Sequence, residues 1–420
     1  MKKCFLVGVG TGSFSFLTLE AVKCVESSAL VAGAKRVLEC VGTDLINGEQ
    51  FASFSSEEIA KEFERFAREK EKIGENAVCC AVFSGDSGFF SGAKSLEKIL
   101  LADEWRVEIV PGISSVQYFA AKLFQSWEDW NLVSAHGTDC DIGMEIAFSK
   151  KTFFLTGGSV SAKTIAHFLC ENRVRSKMFV GSRLSYADES ITQFEIGEGD
   201  SFFVPEFEDD SLSVVLVERL GNVVLHAGSL PDEAFFRGSS KDAVIPMTKR
   251  VVRAAAVSFL APCDGEVFWD IGSGSGAISV DLARSARICV HSVEKNEAAF
   301  LVSKENRARF CALNMTLHFG EAPKILALLP TPDAVFVGGS NGKLLEILDE
   351  AFSRNPSVRT VVSCITVETL AGCRSIADSR GLSFSAVQIS VASSSVPKSA
   401  NVTLMKAENP VWLVTLCAKK

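Results

Sequence analysis

The sequence has no long apolar run, no low-complexity tract and no cluster of metal-ligating residues. Its apolar runs are too short to span a membrane, and the run behind Lys2 and Lys3 breaks at Gly8, too early for a signal peptide. The 13 cysteines contain no C-x-x-C pair and share no ligand spacing with the five histidines. We therefore expect a cytoplasmic protein with reduced thiols, no bound metal and no membrane partner.

Positive net charge is also lacking, since 43 lysines and arginines face 51 aspartates and glutamates. The formal net charge of −8 argues against a nucleic-acid backbone as the main partner. Hydrophobic residues make up 47% of the chain and charged residues 22%, which is typical of a globular protein. Because 420 residues exceed one ordinary hydrophobic core, we expect two or three domains.

Three glycines at alternate positions form the most informative motif. An apolar run at 267–271 enters Gly272, Ser273, Gly274, Ser275 and Gly276, and an amphipathic run follows. This order predicts a strand, a loop and a helix. Glycine lets a ligand come close to the backbone at the start of a helix. The spacing G-x-G-x-G differs from the dinucleotide fingerprint G-x-G-x-x-G. It is typical of doubly wound methyltransferases that use S-adenosylmethionine.

Two carboxylates accompany these glycines. Asp270 precedes them, and Glu294 follows the next apolar run, at 288–293. A carboxylate at the second position can accept hydrogen bonds from both ribose hydroxyls of a nucleoside. A tight turn without any ligand is the alternative, and the pair of carboxylates favours the ligand.

The N-terminal half opens with a second glycine loop, Gly8-Val9-Gly10-Thr11-Gly12, after a predicted strand at 4–9. Helices are predicted from Thr18 and from Ser56 to about Lys72, and Ser114 or Ser115 can cap another. Further strands are predicted at 29–32, 77–83, 107–110 and 132–135. The loops after them are rich in Gly, Ser or Asp, where an α/β sheet binds ligands.

The pattern of predicted elements changes at Lys151. Short strands and one helix near 160–169 indicate a smaller α+β half of the first domain. We place the domain boundary at 221–228, which gives domains 1–220 and 221–420. The second domain alternates strands with helices. Its strands are predicted at 267–271, 288–293, 333–337, 358–363, 384–391 and 411–417, and its helices near 248–260, 276–285, 296–310, 341–353 and 366–379. The last two strands predict an antiparallel closing hairpin.

Over nearly its full length the sequence resembles the bifunctional precorrin-6Y methyltransferases of cobalamin biosynthesis. The matching motifs of the first half lie at 8–12, 84–89, 110–117, 132–137 and 180–184. Those of the second half lie at 230–235, 248–253, 269–276, 320–323, 332–339 and 409–412. So many motifs in one order are far more specific than a single glycine loop.

The resemblance implies an α/β fold. It comprises an N-terminal two-lobed tetrapyrrole methylase domain and a C-terminal Rossmann-like class I methyltransferase domain with a mostly parallel seven-stranded sheet. It implies S-adenosylmethionine as the cofactor and a precorrin, a tetrapyrrole, as the substrate. The first domain would methylate carbon 5, and the second would methylate carbon 15 and decarboxylate the ring C acetate. Because relatives of both halves assemble, we expect a homo-oligomer.

The cofactor residues follow from the same resemblance. In the second domain Gly272, Ser273, Gly274, Ser275 and Gly276 would hold the methionine part, Glu294 the ribose, and Gly320, Glu321 and Ala322 the adenine. Thr248 is expected to cap the opening helix and to contact the cofactor. In the first domain the cleft would be lined by Gly8, Gly10, Gly12, Gly85, Asp86, Ser114 and Ser115. Asp86 also suits a plain turn, and His136 suits either a core or a pocket wall.

Lys249, Arg250 and Arg253 are expected in the first turns of the opening helix. Cations there are unfavourable unless an anion binds, because the helix dipole favours negative charge at this end. We therefore expect them to bind substrate carboxylates, with a solvated helix start as the alternative. Methyl transfer needs positioning rather than a metal or a nucleophilic side chain.

The sequence departs from the family at Thr11 and Ser87, where proline is usual. Losing proline leaves each loop less pre-organised without changing its chemistry. The connector at 236–248 is also longer than usual.

Four other functions stay open. An NAD(P)-dependent oxidoreductase would show two glycine loops but needs the G-x-x-G interval. A nucleic-acid methyltransferase acting on exocyclic amines commonly carries D/N-P-P-Y/F, and Val337-Gly338-Gly339-Ser340 stands in its place. A non-catalytic binding module, or a methyltransferase acting on another small molecule, is the remaining class.

Overall fold

A computed structural model describes residues 2–42, 44–136, 140–197, 201–209, 212–220, 228–238, 244–395 and 403–419. The chain divides into two compact units. The first unit comprises residues 1–140, 151–167 and 176–218, and the second comprises 141–150, 168–175 and 219–420. The boundary predicted at 221–228 lies, up to residue 227, outside the described residues and stays a prediction. Residues 239–243 of the connector at 236–248 also lie outside the described residues.

The first unit opens with a five-stranded parallel sheet in the order β3-β2-β4-β1-β5. Its strands are β1 (Lys2–Gly8), β2 (Leu30–Gly33), β3 (Glu49–Ala52), β4 (Ala77–Phe83) and β5 (Arg106–Val110). Its helices are α1 (Leu19–Glu26), α2 (Lys35–Val41), α3 (Ser56–Lys72), α4 (Ala93–Ala102) and α5 (Ser115–Lys122). Strand β4 is apolar throughout, and β1 is apolar after Lys2 and Lys3, because both faces of the sheet are covered.

Side-chain caps start three of these helices. The Thr18 hydroxyl accepts the Ala21 N–H at 3.1 Å, which confirms the start predicted for α1. Ser55 caps α3. Ser114, rather than Ser115, caps α5 in a capping box with Gln117.

A second, mixed sheet follows in the order β6-β7-β10-β8-β9. Its strands are β6 (Trp130–Ser134), β7 (Lys151–Leu155), β8 (Ser176–Ser182), β9 (Ser190–Ile196) and β10 (Ser213–Arg219), with helices α6 (Ile142–Ala147) and α7 (Ala162–Glu171) between strands. Strand β6 pairs parallel with β7, whereas β10 pairs antiparallel with β7 and β9 with β8. The smaller α+β half predicted from Lys151 has this sheet as its frame.

The second unit is built on a seven-stranded sheet in the order β13-β12-β11-β14-β15-β19-β16. Its strands are β11 (Val267–Ile271), β12 (Cys289–Glu294), β13 (Met315–Phe319), β14 (Ala334–Val337), β15 (Arg359–Cys364), β16 (Ser383–Ile389) and β19 (Val411–Cys417). A separate antiparallel hairpin joins β17 (Ala392–Ser395) and β18 (Leu404–Ala407). Strand β19 runs antiparallel to both β15 and β16, and the other pairs are parallel. The predicted fold class and closing hairpin are confirmed.

Helices cover both faces of this sheet. They are α8 (Arg250–Leu260), α9 (Ala277–Ala283), α10 (Glu297–Arg309), α11 (Leu344–Arg354) and α12 (Val367–Arg380). Alternate residues of β11 pack into the hydrophobic cores on opposite faces of the sheet, Phe268 into one core and Trp269 into the other. None of the helices that the structure describes is long and apolar enough to cross a membrane.

The start of α8 corrects a prediction. Helix α8 begins at Arg250, its N-cap is Lys249, and no side chain at the cap position bonds to it. The Arg250 N–H instead donates to the Asp232 carboxylate at 2.9 Å. Thr248 therefore does not cap the helix. The capping carboxylate comes from 18 residues upstream, a relation that local spacing does not reveal.

Candidate active sites

The glycine loop of the second unit needs its glycines for two reasons. Gly272, Gly274 and Gly276 have φ angles of +70°, +57° and +74°, a region that other residues rarely adopt. A Cβ on Gly272 would lie 2.5 Å from the Gly339 carbonyl oxygen, and one on Gly276 would overlap the Ser303 hydroxyl. The loop is thus packed tightly against its neighbours.

Glu294 holds this loop from the end of β12. Its Oε2 accepts the Gly274 N–H at 2.8 Å, and its Oε1 accepts the N–H groups of Lys295 and Asn296 at 2.8 Å each. The side chain still borders the cavity described below. Because Oε2 accepts one of these bonds, it keeps capacity for a further donor.

Asp270 supports the loop from beneath. It is buried, and its Oδ2 accepts the Ser279 N–H at 3.1 Å and the Ser279 hydroxyl at 2.5 Å. Burial raises the pKa of the Asp270 carboxyl to about 7, Ser279 opposes the shift, and the charge of Glu294 adds to it. Asp270 therefore ties the strand to helix α9 and stays out of the cavity.

A cavity of about 280 Å³ opens beside the loop. Its lining includes five of the predicted cofactor residues, namely Gly272, Glu294, Gly320, Glu321 and Ala322. Ser273, Gly274, Ser275, Gly276 and Thr248 are not in its wall. The prediction missed Lys295, Ser340, Asn341 and Ile347. Ser340 and Asn341 follow β14 at the carboxyl edge of the sheet, and that position is the signal that could have found them.

The three basic residues at the start of α8, including its N-cap Lys249, have different environments. Arg253 is fully buried, with Nε 2.8 Å from Asp281 and Nη1 2.6 Å from Asp232. A buried guanidinium paired with two carboxylates is not available to a substrate, so this part of the prediction is wrong. Lys249 and Arg250 are exposed, with Lys249 Nζ 3.9 Å from Asp232 and Arg250 Nε donating to the Ser229 carbonyl at 2.9 Å.

Three loops meet in the first unit, at the carboxyl ends of β1, β4 and β5. Gly10 and Gly85 exchange two backbone hydrogen bonds, of 3.0 and 2.7 Å. Asp86 joins the other pair of loops, because its Oδ1 accepts the Gly112 N–H at 3.0 Å and its Oδ2 the Gly88 N–H at 2.9 Å. A Cβ on Gly8 would lie within 2.8 Å of both Gly85 and Gly112.

Ser87 and Thr11, at the two positions where the family usually has proline, each donate a side-chain hydrogen bond. The buried Ser87 hydroxyl donates to the Val110 carbonyl at 3.0 Å, which ties the β4 loop to β5. The Thr11 hydroxyl donates to the Ser185 hydroxyl at 2.9 Å. Each bond restricts its loop in the folded protein, where a proline would restrict it through φ.

A cavity of about 260 Å³ lies above these loops. Gly85, Asp86, Ser114 and Ser115 line it as predicted, whereas Gly8, Gly10 and Gly12 are not in its wall. His136 is a wall residue, while Gly137 of the same motif lies outside the described residues. The sequence did not single out as wall residues Arg36, Phe89, Phe90, Thr156, Arg183 or Tyr186. They come from four separate segments that only the fold brings together.

Both halves of the chain match known families. Residues 3–199 match the tetrapyrrole (corrin/porphyrin) methylases, and residues 240–415 match the precorrin methyltransferase domain. The probable cobalt-precorrin-6B C(15)-methyltransferase (decarboxylating) of Pyrobaculum calidifontis is 34% identical over 194 residues, 45% of this chain and 95% of that protein. The chain belongs to the precorrin methyltransferase family. Members of this family are enzymes that use S-adenosylmethionine.

Two further relatives are similar to this chain. The precorrin-6Y C(5,15)-methyltransferase [decarboxylating] of a Sinorhizobium species is 29% identical over 374 residues, 86% of this chain and 84% of that protein. The probable cobalt-precorrin-7 C(5)-methyltransferase of Methanocaldococcus jannaschii is 33% identical over 204 residues, 47% of this chain and 92% of that protein. The predicted resemblance, a fusion of two methyltransferase halves, is confirmed.

Proposed function

We propose that this chain methylates a precorrin at carbons 5 and 15 and decarboxylates its ring C acetate, in corrin biosynthesis. The observation that carries the proposal is that each unit has its own glycine-loop cavity and its own family match. Relatives named for the carbon-15 and the carbon-5 reaction are each covered almost completely by less than half of this chain. A relative named for both reactions matches over most of it.

The residues of the second cavity suit an adenosine-containing cofactor. Glu294 Oε2 keeps capacity for a ribose hydroxyl, and Gly320, Glu321 and Ala322 supply the wall assigned to adenine. The glycine loop would sit against the methionine part. Lys343, 3.0 Å from Glu321, lowers the pKa of that carboxyl, so Glu321 is ionised at neutral pH.

In the first cavity Gly85, Asp86, Ser114 and Ser115 would hold the cofactor. Asp86 keeps two loops in register, and this gives it a role beyond a plain turn. When bound, S-adenosylmethionine supplies an activated methyl group at each site. The protein contributes binding, orientation and exclusion of water.

Lys249 and Arg250 remain our candidates for binding substrate carboxylates in the second unit. Both are exposed, and the segment before them borders the glycine loop. The Pro246 carbonyl oxygen would lie 3.2 Å from a Cβ on Gly274. We also propose a cytoplasmic homo-oligomer without a nucleic-acid partner, on the sequence grounds given above.

Calorimetric titration of the full chain with S-adenosylhomocysteine, combined with product mass analysis, tests this function. We expect two binding sites and a product that has gained two methyl groups and lost one CO₂. Asp86→Ala should leave one site and a decarboxylated product that lacks one methyl group. Asp103→Ala, an exposed aspartate outside the first cavity, is the matched control. A single site in the unaltered chain, or binding of NADPH in its place, would contradict the proposal.

A further inference from the structure

The first cavity contains a cation that no carboxylate of the described residues balances. Arg36, in the first turn of α2, lines the cavity, and its Nη1 donates to the Tyr186 hydroxyl at 2.5 Å. Within the described part of the chain no carboxylate lies within ion-pair distance of it. The other guanidinium of the wall, Arg183, has its Nε 2.5 Å from Asp188.

The same cavity also contains a carboxylate that is bonded to the backbone. Among the described residues of the wall, Asp86 is the one carboxylate, and both of its oxygens accept backbone N–H groups from Gly88 and Gly112. The described wall carries the guanidinium charges of Arg36 and Arg183 and the carboxylate charge of Asp86, and Arg36 has no ion-pair partner among the described residues. Such a charge lowers the energy of an anionic group that enters the cavity.

Tyr186 keeps Arg36 in place without neutralising it. The ring packs on Gly12, where a Cβ would lie 2.5 Å from its Cε2, and the Tyr186 N–H donates to the Arg183 carbonyl at 3.0 Å. Burial raises the pKa of the Tyr186 hydroxyl, which therefore accepts from Arg36 as a neutral group. Among the described residues, the guanidinium uses one of its five N–H donors, and four remain.

We propose that Arg36 binds a carboxylate of a ligand in the first cavity and that Tyr186 is the residue that positions it. A planar guanidinium can hold a carboxylate through two parallel hydrogen bonds. The carboxylate belongs either to the methionine part of the cofactor or to an acidic side chain of the macrocycle. The inference rests on the proposed function, because both are ligands of that reaction.

Initial rates of carbon-5 methylation by the full chain, resolved by product mass, test the assignment. Arg36→Gln should raise KM at least about tenfold for one ligand. A higher KM for S-adenosylmethionine assigns the cofactor carboxylate, and a higher KM for the tetrapyrrole assigns the macrocycle. Lys35→Gln removes the same charge from the exposed neighbouring position outside the cavity wall and should leave both KM values unchanged.

Two further variants separate binding from folding. Arg36→Lys keeps the charge but not the paired donors, so it should recover part of the lost affinity. Tyr186→Phe keeps the ring on Gly12 and should raise KM for the same ligand with kcat unchanged.

Unchanged KM values for both ligands in Arg36→Gln would overturn this inference and leave the proposed function intact. Absence of carbon-5 methylation in the unaltered chain would instead overturn the proposed function, and this inference with it.

Discussion

Two constraints act on Gly272, its positive φ angle and the close approach of the Gly339 backbone, and substitutions can separate them. Gly272→Ala would place a Cβ against the backbone of Gly339, which cannot move aside as a flexible side chain can. We expect cofactor affinity at the second site to fall at least about tenfold. Calorimetric titration with S-adenosylhomocysteine measures this loss.

Gly265 supplies the control for backbone strain. Its φ is +88°, and a Cβ there would meet no atom within 4 Å. Gly265→Ala should therefore lower the free energy of unfolding by about 1–2 kcal/mol and leave cofactor affinity unchanged. Equal affinity in the two variants would show that the close approach of Gly272 to Gly339 is not required for binding.

At the scale of elements, neighbouring strands β12 and β13 present two histidines to each other. Nδ1 of His291 lies 2.9 Å from Nε2 of His318, and the rings stack with centroids 5.2 Å apart. Burial lowers the pKa of His291 to about 4, and the charge of His318 adds to this effect. Burial also lowers the pKa of His318. The folded strands therefore favour neutral imidazoles.

This pair makes stability fall in acid. Between the unfolded pKa, near 6.5, and about 4, the unfolded chain binds more protons at these positions, so the free energy of unfolding falls as pH falls. His318→Gln should reduce the loss between pH 7 and pH 5 by about 1 kcal/mol. Urea unfolding at both pH values measures the difference.

Asp270 changes the free energy of unfolding in the opposite direction as pH falls. The pH dependence therefore has to be compared between the unaltered chain and His318→Gln. Its raised pKa, about 7, means that the folded chain binds the extra proton there, which favours the fold as pH falls. That contribution is common to both proteins and cancels in the difference. An identical pH slope in His318→Gln and the unaltered chain would exclude the histidine pair as a cause.

For the whole molecule, net charge sets a condition on the substrate. The chain carries −8 and repels a polyanionic macrocycle, so local cations have to offset this repulsion. Lys249→Gln should raise KM for the tetrapyrrole in carbon-15 methylation by about threefold to tenfold with kcat unchanged, and less at high salt. Lys304→Gln, an exposed lysine on α10, is the control. The same KM in both variants would remove Lys249 from the substrate site.

Much of the fold could be predicted because buried parallel strands are continuous apolar runs that end at glycine or polar residues. Strands β4, β11 and β19 begin and end at the predicted residues. No bounds were predicted for strand β13, and among the described strands it pairs with β12 alone. Met315 is its one buried residue, and Thr316 and His318 interrupt its apolar run, which gives a weaker apolar signal.

The candidate sites were less predictable than the fold. Outside the glycine loops, they are formed by contacts between residues that are distant in sequence. Arg253 was expected at the surface of a helix start, but it is buried and forms ion pairs with Asp232 and Asp281. Tyr186 meets Arg36 across 150 positions. Spacing identifies the glycine loops, whose constraints are local, and it does not identify walls that tertiary packing assembles.

The position of β19 has a consequence for biosynthesis. This strand fills the gap between β15 and β16, yet it comes last of the seven strands in chain order. A ribosome therefore delivers the central strands of the second unit well before the strand that pairs with β15. During that interval the growing polypeptide presents an unpaired apolar edge, which favours association with other chains. Translation must pass Cys417 before β19 can close this edge.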